Sequence, residues 1–314
     1  MENKRKRFKS ACLVLPPDIQ SVLLKAPDFI SNDAQEIVLR VNRPLSVECP
    51  KKRYYFTQNN CVTDTLLNQQ MLVTPSRAIF ETFQNICNYS IYSRQNEINN
   101  GFITLRYGHR AGLCGTAVVN DKKIVNIKDI TTINIRIANE IIGCADKLSA
   151  LVNPLEGVLI CGAPCSGKTT LLRDFARSLS YDYKVSLIDE RNELSSTVSG
   201  VFYNDVGLCD VFDGYIKDDA IIQSVRCMSP DIIVCDEISS VLDIATIERC
   251  VNSGVAFVAT IHADSLDTML KRPAIKKLLK TGAFSKLVFL DTRQNAGQVK
   301  SVVNLNEIDG VLLD

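Results

Sequence analysis

The sequence predicts an α/β protein in two parts: a C-terminal domain built on a mostly parallel sheet with helices on both faces, and a smaller α+β domain before it. From residue 157 onward, short apolar runs alternate with amphipathic segments of helical length. Before residue 148, several segments alternate apolar and polar residues, as half-buried strands do. We therefore place the domain boundary between residues 147 and 148.

The composition is that of a globular protein. The chain has 314 residues, of which 46% are hydrophobic and 23% charged, and this length suggests about two domains. No apolar run approaches the roughly 18 residues of a membrane span, and no apolar signal region follows the basic N-terminus. Twelve cysteines without a C-x-x-C pair, and only two histidines, argue against a zinc site or a disulfide framework. We expect a cytoplasmic protein.

Charge is distributed unevenly along the chain. Residues 1–147 carry 20 Lys+Arg against 13 Asp+Glu, a balance of +7, and residues 148–314 carry 16 against 22, a balance of −6. The first nine residues contribute five cations, Lys4, Arg5, Lys6, Arg7 and Lys9. Such a run is typical of a solvated, flexible end. The alternative is contact with an anionic membrane surface or with nucleic acid.

In the first half, alternation and helical spacing predict several elements. We expect a short helix over residues 19–24 and strands over residues 36–41, 46–49, 53–56 and 133–138. Thr74 precedes a helix that has Pro75 in its first turn and one apolar face. Residues 101–119 predict two strands joined by a glycine-rich turn. Phosphate contact from that turn is the alternative, but no Lys-Ser/Thr ending and no helix follow it.

Three arginines of this half, Arg106, Arg110 and Arg136, are candidates for function. Arg136 is the one cation on the polar face of an alternating strand. Most such arginines are surface salt-bridge partners. The alternative is that one or more act as an arginine finger, which stabilises charge on a transferring phosphoryl group.

In the second half, strands are expected over residues 158–161, 185–188, 232–235 and 255–261, and helices over residues 169–180, 219–228 and 241–251. A hairpin is expected over residues 292–305, with Gly297 near its turn. Chemistry in such a sheet is expected at the carboxyl ends of the strands.

Residues 162–169 read G-A-P-C-S-G-K-T, directly between the first of these strands and the first helix. This is the Walker A pattern, in which glycines turn backbone N–H groups toward phosphate oxygens, Lys168 reaches the β- and γ-phosphates, and the Thr169 hydroxyl ligates Mg²⁺. A turn that binds nothing is disfavoured because strand, loop and helix coincide. The predicted nucleotide-binding residues are Gly162, Ala163, Pro164, Cys165, Ser166, Gly167, Lys168, Thr169 and Thr170.

Polar residues end three other strands. Asp236 and Glu237 close a buried strand, and we expect Asp236 to hold Mg²⁺ and Glu237 to polarise water rather than merely face solvent. Residues 189–193, D-E-R-N-E, follow another strand, and such acids also commonly cap a helix or face water. His262 follows the strand over residues 255–261, where a histidine is either structural or a sensor of the γ-phosphate.

The Walker A pattern, the acidic segment, the Asp236-Glu237 strand end and His262 follow one another along the chain in this order. This arrangement of motifs resembles that of the secretion-type ATPases that power type II and type IV secretion and pilus extension. The resemblance implies a recombinase-like P-loop NTPase. It also implies that Glu193 is the acidic-box carboxylate near the attacking water, that Glu237 is the Walker B carboxylate and that His262 is the His-box residue.

The first half narrows the resemblance to the stage III sporulation protein AA family. The matching segments are residues 36–40, 43–45, 89–93, 101–105, 108–115, 134–138, 229–231 and 271–273. The family implies a cytoplasmic ATPase of the mother cell in endospore-forming bacteria, peripheral to the membrane through integral membrane proteins of a channel between mother cell and forespore.

The resulting hypothesis is an enzyme that uses ATP and Mg²⁺. Glu237 and Glu193 orient water, and arginines of the first half or of a neighbouring subunit, with Arg110 and Arg136 as candidates, complete the transition-state charge. By resemblance the protein is a homo-oligomer, a hexameric ring. A nucleic-acid-stimulated motor is one rival, but no basic-aromatic stacking pattern is present, so no nucleic-acid partner is expected. A nucleotide-gated scaffold without turnover is the other.

Overall fold

The computed structural model describes residues 2–66, 70–121, 123–138, 140–198, 200–292 and 295–307. The chain divides into two compact units, Met1–Glu140 and Ile141–Asp314. This division lies somewhat before the predicted boundary at 147/148. The reason is local: the backbone N–H of buried Ala145 donates a hydrogen bond to the Asp174 carboxylate at 2.8 Å, which ties this segment to the second unit.

The first unit is an α+β domain. Its helices are α1 (Glu2–Cys12), α2 (Pro17–Leu23), α3 (Asp28–Asp33), α4 (Ser76–Ile86) and α5 (Gln95–Asn99). Its strands are β1 (Glu36–Arg40), β2 (Ser46–Glu48), β3 (Arg53–Phe56), β4 (Val62–Thr63), β5 (Phe102–Thr104), β6 (Arg110–Asn120) and β7 (Lys123–Arg136). They form one sheet in the order β4-β3-β2-β1-β7-β6-β5, and neighbouring strands are antiparallel. The predicted strands over residues 36–41, 46–49 and 53–56, the helix after Thr74 and the glycine-rich hairpin are confirmed, with Pro75 as the N-cap of the helix rather than in its first turn. The strand predicted over residues 133–138 is the end of β7, which begins at Lys123 and ends at Arg136.

Alternation along the strands explains how this sheet packs. In β1, Ile37 and Leu39 are completely buried in the core, whereas Glu36 and Arg40 point to the other face. The apolar stripe of α4 enters the same core through Ile79. One side of the sheet therefore carries the hydrophobic core of the unit.

The basic N-terminal run is not a flexible tail, and that prediction is wrong. Residues 2–12 form α1, which buries Phe8, Ala11 and Cys12 at helical spacing. Arg7 is also buried and pairs with Glu140 at 2.8 Å. The segment is therefore an amphipathic helix. Its exposed side carries four of the five cations, Lys4, Arg5, Lys6 and Lys9.

We expect Arg7→Met to destabilise the first unit by about 3 kcal/mol, because it removes the positive charge of a buried ion pair with Glu140. The side chains of Arg7 and Glu140 are only 3% and 10% exposed. Arg5→Met is the matched control: its ion pair with Asp28 is solvent-exposed and is expected to contribute under about 1 kcal/mol. Denaturant unfolding of both variants measures the difference, and equal losses would contradict a structural role for the Arg7 pair.

The second unit is an α/β domain. Its helices are α6 (Asp146–Leu151), α7 (Lys168–Leu179), α8 (Lys217–Cys227), α9 (Val241–Val251), α10 (Leu266–Leu270) and α11 (Pro273–Lys280). Its strands are β8 (Val158–Gly162), β9 (Val185–Asp189), β10 (Asp210–Asp213), β11 (Ile232–Cys235), β12 (Ala256–His262), β13 (Lys286–Leu290) and β14 (Val299–Asn304). The order is β10-β9-β11-β12-β8-β13-β14; β14 pairs antiparallel with β13, and the other pairs of neighbouring strands among the described residues are parallel.

Helices cover both faces of this sheet. Along β8, Leu159 and Cys161 belong to one hydrophobic cluster, and Val158 and Ile160 belong to another on the opposite face. Strands buried on both faces need apolar residues at every position, which is why they are continuous apolar runs in the sequence. The predicted fold class is confirmed. The strand order places β8 beside β12 and β12 beside β11, so three polar strand ends meet at one edge.

The C-terminal hairpin differs from its prediction. It joins β13 to β14, so its first strand lies before residue 292, and Gly297 lies at the turn with φ 84°. The strand over residues 286–290 was not predicted; β13 pairs with β8 as well as with β14, so it is a member of the sheet rather than a free hairpin arm. In the part of the chain that the structure describes, no helix is long and apolar enough to cross a lipid bilayer.

Candidate active site

The Walker A loop lies between β8 and α7, as predicted, and it packs on the C-terminal hairpin. The backbone N–H of Gly297 donates to the Ser166 carbonyl at 2.7 Å. Gly167 has φ 89°, and a Cβ atom built there would lie 2.6 Å from the Gly297 nitrogen. Only glycine meets both conditions, so this residue sets the approach of loop and hairpin.

The Lys168 ammonium forms hydrogen bonds with two carbonyls of the loop and with His262. It donates to the carbonyls of Gly162 at 2.9 Å and Ala163 at 2.8 Å, and it contacts His262 Nδ1 at 3.1 Å. Burial lowers the pKa of Lys168 from its usual value, while the carboxylates of Asp236 and Glu237 act in the opposite direction. These carbonyls hold the ammonium where a phosphate oxygen would replace them as acceptor.

His262 links Lys168 to the next strand end. An ammonium has no acceptor, so the Nδ1 atom of His262 accepts and the proton of the neutral ring lies on Nε2. That Nε2 atom is 3.5 Å from Glu237 Oε1. The predicted His-box residue thus lies between the predicted phosphate-binding lysine and the predicted Walker B carboxylate.

Asp236 is hydrogen-bonded by two threonine hydroxyls. Thr169 Oγ1 donates to Asp236 Oδ2 at 2.8 Å, and Thr260 Oγ1 donates to the other carboxylate oxygen. A hydroxyl and a carboxylate are hard oxygen ligands of the kind that Mg²⁺ prefers. The two residues predicted to hold Mg²⁺ therefore lie in direct contact.

The loop itself fits a phosphate chain. The Ser166 hydroxyl is buried and, among the described residues, has no hydrogen-bond partner. A Cβ on Gly162 would lie 2.5 Å from that hydroxyl, so glycine keeps the cradle open. The loop also precedes the N-terminus of α7, where backbone N–H groups and the helix dipole favour anions.

Glu237 has an unusual backbone conformation, with φ 44°. Its N–H donates to Thr260 Oγ1 at 2.8 Å and to Asp236 Oδ1 at 3.0 Å. Its carboxylate accepts from Arg191 Nη1 at 2.7 Å on Oε2, whereas Oε1 is the oxygen near His262. A non-glycine residue in the left-handed region costs about 1 kcal/mol or more and persists where several groups hold it.

The acidic segment after β9 folds around Asp189. The buried carboxylate accepts from the backbone N–H groups of Glu193 at 2.8 Å, Leu194 at 3.1 Å and Ser195 at 2.7 Å, and from the Ser195 hydroxyl. This differs from the alternative of a helix cap or a solvated acid, because Asp189 binds its own loop. A small cleft brings Glu193 together with Asp236 and Glu237. It is lined by Ile188, Asp189, Glu190, Arg191, Glu193, Lys217, Asp236 and Glu237.

The two predicted finger arginines are cross-strand neighbours in the first unit. Arg110 on β6 is in register with Arg136 on β7. The Arg136 side chain is 67% exposed and lies 3.6 Å from the Glu36 carboxylate, and the Arg110 guanidinium lies over the Phe102 ring at 5.0 Å. These contacts fit the surface-partner alternative, and the finger role stays a prediction.

A cavity of about 380 Å³ adjoins the Walker A loop on its α7 side. Gly167 and Thr170 form one wall, and Ile141, Leu171 and Val299 contribute apolar surface. Such walls suit a flat nucleobase. This cavity was not predicted, because its walls come from the beginning and the end of the unit and meet only in the folded chain.

Three other residues of the site were missed. Thr260 could have been found as a polar residue two positions before His262 in an otherwise apolar strand. Arg191 lies inside the acidic segment, but its position gives no sign that it binds Glu237. Lys217, which lines the cleft, follows no motif.

Asp213 is predicted to make stability depend on pH. It is in register with Asp189, its Oδ1 is buried without a hydrogen-bond partner in the described chain, and burial, then the Asp189 charge, raises its pKa to about 6. The folded state therefore binds this proton more tightly than the unfolded state, so this group's contribution is greatest below pH 4 and declines as pH rises toward 6. We expect Asp213→Asn to stabilise the protein by about 1 kcal/mol at pH 7.5 and by less at pH 4.5.

Thermal unfolding at both pH values tests this expectation. Asp210→Asn, an exposed acid on the same strand, is the control. Equal effects of Asp213→Asn at the two pH values would contradict the raised pKa.

Comparisons with known proteins agree with this architecture. The family model described as "Sporulation stage III, protein AA" matches residues 4–309. Stage III sporulation protein AA of Bacillus subtilis (strain 168) is 29% identical over 298 residues, covering 92% of this chain and 92% of that protein.

Two solved structures share the fold. The ATPase DotB of Legionella pneumophila has a TM-score of 0.52 and 15% identity, covering 82% of this chain and 72% of that one. The pilus retraction motor PilT with bound ADP has a TM-score of 0.52 and 17% identity, covering 82% and 74%. The predicted likeness to secretion-type ATPases is confirmed at the level of the fold. With the family model matching nearly the whole chain, this protein belongs to the sporulation stage III protein AA family.

Proposed function

We propose that this protein is a Mg²⁺-dependent ATPase of the secretion type. One observation carries the proposal: Lys168, Thr169, Asp236, Glu237 and His262 form one connected cluster at the carboxyl ends of β8, β11 and β12. Each residue type suits a step of phosphoryl transfer to water, and the cluster lies where a parallel sheet binds its ligands.

The residues would divide the chemistry as follows. The backbone of residues 162–169 and the Lys168 ammonium bind the phosphates of ATP. Thr169 and Asp236 would hold Mg²⁺, which neutralises phosphate charge when bound. Glu237 and Glu193, which line one cleft, orient water and accept its proton. His262 contacts both Lys168 and Glu237, so it is placed to report the presence of the γ-phosphate.

The finer proposal concerns assembly and partners. The protein would act as a homo-oligomer, a hexameric ring, with Arg110 or Arg136 completing the transition-state charge. It would stand at the cytoplasmic face of integral membrane proteins that form the channel between mother cell and forespore. The family supports a sporulation role, and the names of the structural neighbours, an ATPase and a pilus motor, support a force-generating one.

Steady-state ATP hydrolysis by the full chain, with Mg²⁺ and with EDTA, tests the proposal. Turnover that requires Mg²⁺ and is indifferent to added DNA or RNA is the expected result. Stimulation by nucleic acid would favour the nucleic-acid motor. Tight nucleotide binding without turnover would favour the nucleotide-gated scaffold.

A further inference from the structure

Lys217 is a buried cation at the start of α8. Its side chain is 8% exposed, and its Nζ atom donates to the Glu237 carbonyl at 2.7 Å. The same ammonium lies 3.6 Å from Glu190 Oε2 and 3.9 Å from Asp243 Oδ2. Burying an ammonium is costly unless acceptors and opposite charge surround it. Here one of its acceptors is the backbone of the candidate catalytic glutamate.

With this contact, both the N–H and the carbonyl of Glu237 are held by hydrogen bonds, an arrangement that we call the clamp. The N–H of Glu237 is bound by Thr260 Oγ1 and Asp236 Oδ1, and its carbonyl is bound by Lys217. A non-glycine residue at φ 44° relaxes unless its neighbours hold it. Because the direction of a side chain follows its own backbone angles, the clamp also fixes where the Glu237 carboxylate points.

The second candidate glutamate is held in the same way. Arg173 on α7 is buried, and its Nη2 atom donates to the Glu193 carbonyl at 2.7 Å. The Glu193 N–H donates to the Asp189 carboxylate at 2.8 Å. Each glutamate thus has its N–H bound by an aspartate and its carbonyl bound by a buried cation from a neighbouring helix.

Lys217 also suits the charge of the cleft. Five carboxylates line it, and Lys217 is among its lining residues: the acids are Asp189, Glu190, Glu193, Asp236 and Glu237. The Lys217 ammonium therefore places positive charge beside a group of carboxylates that repel one another.

We propose that Lys217 and Arg173 are positioning residues, which hold Glu237 and Glu193 in the geometry that orients water. The inference rests on the proposed ATPase function. It predicts that removing either cation slows the chemical step while the phosphate-binding loop, which neither hydrogen bond touches, keeps its affinity for nucleotide.

The test compares Lys217→Met and Lys217→Arg in the full chain, with Arg226→Met as control. Arg226 is an exposed cation in the last turn of the same helix. Lys217→Met is expected to lower kcat by about 10-fold or more, because small misplacements of a catalytic group cost that much. KM for ATP and the Kd for ADP are expected to stay within about twofold, since the binding loop is unchanged. Lys217→Arg, which keeps a cationic donor, recovers most of kcat, and Arg226→Met is unchanged.

Arg173→Met and Arg173→Lys repeat the comparison at Glu193. Lys217→Gln, which keeps a donor without the charge, replaces the methionine variant if that variant does not fold. Parallel losses of kcat, ADP affinity and thermal stability would overturn the inference, because they indicate a merely structural cation. If the wild-type protein hydrolyses ATP and both methionine variants have the same kcat as the wild type, this inference alone is overturned. Absence of wild-type turnover would overturn the proposed function and this inference with it.

Discussion

Lys168→Ala is expected to reduce ATP hydrolysis by about 100-fold or more and to weaken nucleotide binding strongly, since preorganised donors to a transferring group contribute on that scale. The ammonium is buried at the mouth of the loop and is held by two loop carbonyls and by His262. Its removal deletes the one side-chain cation of residues 162–170 and leaves those carbonyls facing the phosphates. Initial rates of phosphate release and calorimetric titration with ADP measure the two effects.

Lys280→Ala is the matched control for this variant. Lys280 is an exposed lysine at the end of α11, so its loss should leave both quantities unchanged. Wild-type affinity and turnover in Lys168→Ala would show that the loop does not bind phosphate in the proposed way.

Glu237→Gln is expected to lower kcat by about 1,000-fold with nucleotide affinity retained, within the range that general-base catalysis contributes. Glutamine keeps the size of the side chain and the clamped backbone, but it has no negative charge and cannot accept a proton from water. The variant also loses the ion pair with Arg191, which is largely exposed and contributes little to stability. Single-turnover hydrolysis and ADP titration separate the chemical step from binding.

Glu248→Gln controls for the loss of an ion-paired glutamate, because Glu248 pairs with Lys277 at the exposed surface of α9. We expect its activity to stay within about twofold of wild type. Unaltered kcat in Glu237→Gln would contradict its role with water. Intact sporulation function in Glu237→Gln, despite lost turnover, would favour the scaffold.

Much of the fold of the second unit could be predicted from the sequence, for a physical reason. Strands β8, β11 and β12 are buried on both faces and so are mainly apolar runs, with Thr260 as the polar residue inside β12. Their functional side chains come directly after those runs, because the carboxyl ends of parallel strands meet at one edge. The contacts of Lys168, Thr169 and Asp236 follow from that arrangement.

The parts of the site that were not predicted depend on contacts between residues that are far apart in the sequence. Lys217 is an ordinary helix residue until folding brings it to the Glu237 carbonyl. The wall of the cavity beside the Walker A loop combines Ile141 with Val299, which no local pattern connects. Helix α1 was predicted as a flexible end because the segment is rich in charged residues. The helical spacing of Phe8, Ala11 and Cys12, which would have predicted an amphipathic helix, was overlooked.

The most direct test of the central claim is the specific ATPase activity of the purified full chain across a range of protein concentrations, with Lys168→Ala measured in parallel. An assembling ATPase predicts Mg²⁺-dependent activity that rises with concentration and then levels off, and that is lost in the variant. Activity equal in wild type and Lys168→Ala, or no turnover at any concentration, would contradict the account.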